Sequence, residues 1–428
     1  MAALSGLVLL VACSNEGDGA GDDPTTLVGT AGNAASAAGE PAPAAGESMT
    51  AAGESTTAPG ASATTPGEST GTPAEDEPEA EPGEPATTPA EDEPEAEPGE
   101  PTTTPAEAEL DDNGCPVPEM IGWATTGSGT TGGGDSAPVV VSDGDGLRQA
   151  LDGDEARVVH FSGTIDGGSD EIEIGSNKTL LGTSQDATIV GGLSVDGDNV
   201  IVRNFTLQGK GDGGSPSDAI NGSGSNIWFD HLDVLEGGDG LLDLVNGADR
   251  VTTSWCKFSY TDPDHGHRLA LLFGNDSEKC EEDGGRQRHT IHHNWFGDLV
   301  RSRAPRIYFG QTHIFNNFYN SPGNNYCIGV GTWASVLIEN NYFKDVSDPH
   351  RLQNEYPTHI EATGNVYDNT SGDQATGPSG IGTMPERFAG SACHAALEDP
   401  GPWTPPYAYA LDAAESIPEL VQRCAGPQ

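Results

Sequence analysis

The chain has 428 residues, with 67 Asp and Glu against 18 Lys and Arg and a net charge of −49. A field of that sign repels phosphate backbones, which excludes non-specific nucleic-acid binding, and a polyanionic substrate would need a bridging cation. The charge is unevenly placed: 24 of the acids fall in residues 14–113, and the first basic residue is Arg148.

Residues 1–13 are an apolar run closing on Leu10, Val11, Ala12 and Cys13. This resembles a bacterial lipoprotein signal, with cleavage before Cys13 and a lipid on its sulfur, although no Lys or Arg precedes the run. An ordinary secretory signal is the alternative, and both imply export, to a secreted or surface-anchored state.

Residues 14–113 are Ala, Gly, Pro, Thr and Glu with almost no large apolar side chains, too little to offset chain entropy by burial. A 16-residue unit starting at Thr72 returns at Thr88. Regular Pro and self-repelling carboxylates predict an extended tether rather than a domain.

From residue 114 to 428 the pattern changes. A short β-favouring run ending in Asn, His or an aromatic returns every 22 to 27 residues with one longer gap: Asn199–Asn204, Asn226–His231, Arg250–Trp255, His289–Asn294, His313–Asn317 and Val336–Asn341. Strands at that period without helices between them cannot bury an inner face alone, so successive turns must stack. The predicted fold is all-β, a right-handed single-stranded parallel β-helix, with function on loops along one side.

Several features follow from that frame. Asn204, Asn294, Asn317 and Asn341 share a phase that predicts an Asn ladder along the cylinder. Trp228, Trp255, Trp295 and Phe315 are expected to stack in the interior or on a coil face. The gap between Ser254 and His289 is expected to protrude beside the groove, and the segment after residue 370, including Ile417–Val421, to fold back as a cover. Without Cys13, six Cys remain (115, 256, 280, 327, 393 and 424), an even set that could form three bridges after export.

Asp218, Asp239 and Asp243 precede successive strands at similar distances, so stacking brings them near one another. Crowded carboxylates repel unless neutralised, and oxygen-only ligands suit a hard ion such as Ca²⁺; solvated turn acids are the bland alternative. His265, His267, His292 and His293 lack Cys or Glu at ligand spacing, which favours strand-end stacking over zinc. Gly127–Gly132 satisfies G-x-G-x-x-G but follows no apolar strand and opens no helix, which argues against a dinucleotide site.

The motifs Asp239–Asp243, Trp228–His231, His292–Asn294, Arg303–Arg306, Ser176–Thr179 and the Gly-rich Gly129–Gly132 occur in an order that resembles the pectate lyases of polysaccharide lyase family 1, over roughly residues 115–370. The resemblance implies Ca²⁺-dependent β-elimination of polygalacturonate. Residue by residue it implies Asp218, Asp239 and Asp243 as metal ligands and Arg303 as the base; Arg306 and Arg268 are candidates for orienting substrate carboxylates. Two positions depart: Tyr308 stands where a second basic residue is common, and Leu269 falls at the usual substrate-contacting Lys, with Arg268 adjacent. Tyr308 is thereby a candidate substrate contact that shifts preference toward less charged uronan. The expected molecule is a monomer acting on pectin, with membrane attachment only through Cys13. A β-helical polygalacturonase using paired acids and a non-catalytic carbohydrate-binding β-helix are the rival readings.

Overall fold

Alternation of apolar and polar residues along the repeated runs builds the structure. A computed structural model describes residues 110–428 apart from 112, 212, 216, 354–356 and 380–399, so the expectations for residues 1–109, which take in the signal and nearly all of the tether, lie outside it. The described residues coil into a parallel β-solenoid of about nine turns. Strands join into an 18-stranded sheet and an eight-stranded sheet. Strand pairings are parallel except where Gly377–Ser379 runs antiparallel to Thr358–Thr363 and blunts the edge of the last turn.

Register shows why these residues coil. Val202, Phe229, Thr253, Ile291, Ile314 and Ile338 occupy one column on successive turns, all facing the core. A second column is aromatic: Phe258, Phe296, Tyr319, Phe343 and Tyr367 stack at centroid separations of 5.4, 4.8, 4.5 and 5.4 Å. Each ring buries both faces only because the neighbouring turn supplies another ring.

The corner after the first strand of each turn has a two-residue rule. Asn204, His231, Trp255, His293, Asn316 and Asn340 all take left-handed backbone, with φ between 49° and 65°. Asn tolerates that region better than most residues, which explains its frequency there. The next residue forms the ladder: Asn294, Asn317, Asn341 and Asn365 pass side-chain hydrogen bonds of 2.9–3.0 Å from turn to turn. Asn204 is not a rung. It sits in the left-handed column and donates to Gly182 O. The ladder instead ends on Cys256, whose N–H donates to Asn294 Oδ1 and whose sulfur accepts from Leu232 N–H.

The cysteine expectation is therefore corrected. Cys115 and Cys424 are bridged and Cys280 is disulfide-bonded, but Cys256 and Cys327 are free, buried thiols. Burial drives both thiols away from ionisation.

One further expectation changes. The interval from Ser254 to His289 is a complete turn carrying strands Lys257–Ser259 and Leu271–Phe273, with excursions at 260–270 and 274–288. Residues 400–428 do fold back, as a strap along the side, while residues 380–399 of that segment lie outside the described residues; the first turn is covered by helix Gly144–Leu151, N-capped by Asp143, with Leu147 and Leu151 in the core. Trp403 stacks on Trp123 at 5.8 Å, Asp412 meets His293 at 2.9 Å, and helix Ile417–Cys424 packs on Phe318. Trp228, Trp255 and Phe315 are buried as expected and Trp295 is partly so.

Candidate active site

The eight-stranded sheet carries the candidate site, because its strands present one outward residue per turn. Leu242, Leu244, Leu271, Phe273, Ile307, Ile328 and Val330 point into the core. Their neighbours form an outward row in register: Glu173, Ser194, Asn221, Asp243, Leu272, Arg306, Gly329 and Arg351. Before Leu272 the row is acidic or neutral polar, and beyond it two arginines flank Gly329.

Asp218 reaches Asp243 from the preceding turn, where it bridges in parallel to Gly240. A Cβ on Gly240 would lie 2.8 Å from Asp243 Oδ1 and 3.3 Å from Asp218 Oδ1, so two carboxylates converge over a residue that has no side chain to separate them. Asp218 Oδ1 is buried without a hydrogen-bond partner. Burial first, and then Asp243 and Asp239, push the Asp218 carboxyl up to about 8. Burial likewise raises Asp243 to about 7, with Arg303 opposing the rise and Asp239 adding to it. An orphaned oxygen and two carboxylates that resist joint ionisation are the electrostatics of a pair suited to a hard cation.

Asp239 is close enough to raise both, yet it is half-exposed and its Oδ1 lies 3.0 Å from His267 Nδ1. Among the described residues no three His, Cys, Asp or Glu side chains stand together as a ready metal cage. The three predicted acids are thus brought to one place, two converged and the third turned toward a histidine. His267 is the site residue that sequence reasoning assigned to strand-end stacking. His292 and His293 do stack, on Phe315 at 4.9 Å and on Trp255 at 4.3 Å, while His265 is buried with its ring tilted 4.9 Å from that of Tyr260.

Arg303 stands two turns beyond Asp243, its carbonyl accepting from Leu271 N–H on the intervening strand. Its backbone is left-handed, φ 60°, and its Nε is buried without a hydrogen-bond partner. A non-glycine residue in that region costs on the order of 1 kcal/mol or more, which fixes the direction of the side chain at the expense of stability.

Arg306 lies outward three residues on, its guanidinium carbon 5.0 Å above the ring of Tyr308. Tyr308 is only 7 % exposed, packed with Leu272, Phe309, Trp333 and Cys280. It is placed as the platform under Arg306 rather than as an open contact surface. Arg268 and Leu269 lie on the 260–270 excursion, both partly exposed; Leu269 bridges to Ser302, and Arg268 O accepts from Arg301 N–H.

The remaining motifs serve the scaffold. Lys178 is fully buried and donates to the carbonyls of Gly153, Glu155 and Ser176. Asp230 accepts from Ser254 at 2.7 Å and pairs with Arg203 at 3.2 Å on the other sheet. The N–H groups of Thr131 and Gly132 donate to Asn199 Oδ1, so the Gly-rich loop braces the early turns.

With this geometry in hand, the relatives are informative. The sequence profile described as "Pectate lyase" matches residues 115–428. Pectate lyase A of Emericella nidulans is 35 % identical over 236 residues, 53 % of this chain and 68 % of that protein. Pectate trisaccharide-lyase of Bacillus licheniformis is 28 % identical over 328 residues, covering 72 % and 86 % of the two chains. A pectate lyase from Bacillus sp. N165, solved in complex with trigalacturonate, superposes with a TM-score of 0.57 at 24 % identity, over 72 % of this chain and 99 % of that one. The major cedar pollen allergen superposes with a TM-score of 0.55 at 20 % identity, over 72 % and 93 %. At such identities superposition shows the β-helix and nothing more. The profile match carries the assignment: the chain belongs to the pectate lyase family and is a polysaccharide lyase.

Proposed function

We propose that the chain is a Ca²⁺-dependent pectate lyase that cleaves polygalacturonate by β-elimination to 4,5-unsaturated oligogalacturonates. The observation that carries this reading is the convergence of Asp218 and Asp243 over Gly240, with Arg303 two turns beyond Asp243 and still near enough to oppose the rise of its carboxyl. Asp218 and Asp243 would hold the ion, and Asp239 would join them by leaving His267. Ca²⁺ bound there would supply positive charge to neutralise the uronate carboxylate, which makes the proton on the adjacent carbon 5 more acidic.

Arg303 is the group assigned to remove that proton. Guanidinium ordinarily stays protonated, so the assignment requires desolvation and the nearby metal to make Arg303 a proton acceptor. Arg306, held on Tyr308, orients a substrate carboxylate, with Arg268 as a further candidate. A paired-acid hydrolase would leave Arg303 without a role. The Cys115–Cys424 bridge supports export to an oxidising space, with anchoring through Cys13 as part of the proposal.

The test is to incubate residues 110–428 with polygalacturonate, with Ca²⁺ or with chelator, and to follow ultraviolet absorbance of the unsaturated product. Calcium-dependent absorbance is the expected result. New reducing ends without absorbance would establish hydrolysis instead.

A further inference from the structure

The outward row continues beyond Arg306. Gly329 follows, then Arg351. Gly329 is not an empty position: a Cβ there would lie 2.8 Å from Tyr326 Cε2 and 2.8 Å from Gln353 Cδ, so the Tyr326 ring and the Gln353 amide occupy the space a side chain would take. Arg351 lies over that ring, its guanidinium carbon 3.9 Å from the centroid. Tyr326 is 4 % exposed beneath it. Asp348 touches Arg351 at 3.5 Å, and its other oxygen, Oδ1, accepts from Asp373 N–H at 2.7 Å. The guanidinium is thus fixed in place, partly exposed, and only loosely paired.

The arrangement repeats that of Arg306 on Tyr308, two strands further along, roughly 9–10 Å. Basic residues are scarce in this chain, 18 against 67 acids, so two tyrosine-mounted arginines in one row are conspicuous. A planar guanidinium on an aromatic face is preorganised for bidentate capture of a carboxylate. A pyranose ring with its linkage is about as long as one strand spacing, so a uronan lying along the row would bring successive carboxylates past both arginines.

We propose that Arg351, mounted on Tyr326 over Gly329, is a specificity-determining residue that binds a free uronate carboxylate beyond the one held by Arg306. The assignment rests on the galacturonan reading of the candidate site. It predicts discrimination by charge: this position selects a free acid over its methyl ester.

Calorimetric binding of hexagalacturonate and of its fully methyl-esterified form tests it, with Ca²⁺ and in the Arg303→Lys background so that the ligand survives. Arg351→Gln should weaken binding of the acid about tenfold and leave the ester unchanged. Tyr326→Leu should do the same, while Tyr326→Phe keeps the ring and the affinity. Arg351→Lys, which retains charge, should restore part of the loss and guards against misfolding of the Gln variant. Equal losses on acid and ester, no loss on either, or no binding of the acid at all would overturn the assignment. Ultraviolet absorbance from the wild-type chain decides the lyase reading separately. Arg351-dependent binding without that absorbance would remove the elimination mechanism and leave the subsite standing.

Discussion

At the residue scale, the site is governed by two carboxyl groups whose folded environment opposes ionisation. Asp218 and Asp243 are raised to about 8 and about 7, chiefly by burial. The folded, metal-free chain therefore retains protons there that the unfolded chain has already lost above the ordinary carboxylate value. By linkage, these groups cost no stability below that value and progressively more as pH rises from it toward 7 to 8. In chelator, the melting temperature should be lower at pH 8 than at pH 5 by a few degrees on their account. Asp243→Asn should flatten that slope, which differential scanning calorimetry at the two pH values would show. An identical slope in the variant would mean the pair is not the source. Because a metal takes only deprotonated carboxylates, Ca²⁺ affinity should rise through the same window, and Asp243→Asn should lose affinity and activity together.

Arg303 belongs to the same scale. Its left-handed backbone and its orphaned Nε describe a side chain held in one direction at some cost. Arg303→Lys keeps the charge but loses the planar fork and reach, so substrate affinity should change little while kcat falls by two orders of magnitude or more, about 3 kcal/mol of barrier. Steady-state kinetics on polygalacturonate separates the two effects. A kcat within a few-fold of wild type would remove Arg303 from proton transfer and leave it a binding residue.

At the element scale, the ladder shows what the repeat can and cannot announce. Asn294, Asn317 and Asn341 were legible because their phase matches the strand period. Asn204 was not, since it shares that phase in sequence but lies one residue early in register, where Asn is chosen for its backbone and not for its amide. The acids of the site were likewise legible as a cluster, but the contact from Asp239 to His267 was not. It depends on how the 260–270 excursion folds back, which no periodicity encodes. The free thiols were hidden for a related reason: Cys256 reads as half a bridge, whereas it caps the ladder. Asn317 tests the ladder. Its amide donates to the carbonyls of Ile291 and Phe315 and its Oδ1 accepts from Asn294 N–H, all in a fully buried setting. Asn317→Ala orphans those groups and opens a cavity, so it should destabilise by about 3 kcal/mol or more, whereas Asn365→Ala, at the partly exposed end, should cost about 1 kcal/mol. Denaturant midpoints compare the two; equal losses would show that the ladder is not a cooperative element.

At the scale of the whole molecule, a solenoid contacts only its neighbours, so its two ends are coupled weakly unless something spans them. Here the strap does so. Residues 400–428 run back along the turns, and the Cys115–Cys424 bridge closes a separation of 309 residues. Closing so long a loop restricts the unfolded chain strongly in the chain-entropy description, although measured gains for native bridges fall within about 2–5 kcal/mol. The bridge packs with Trp255 and Leu420, and Gln428 N–H donates to Asn204 Oδ1 at 2.8 Å, so the strap ends against the early turns and not at the last one. The candidate site lies on the eight-stranded sheet, whereas the strap's bonds to His293, Asn316 and Asn340 lie at the corner column of the other sheet. Replacing both cysteines by serine should therefore lower the melting temperature by on the order of 10 °C, while polygalacturonate cleavage at 25 °C stays near wild type. An unchanged melting temperature would mean that the stacking of Trp403 on Trp123 and the docking of Ile417–Cys424 hold the strap without the bridge. Lost activity with stability intact would mean that the strap, through the turns it clamps, sets the geometry of Asp218, Asp243 and Arg303.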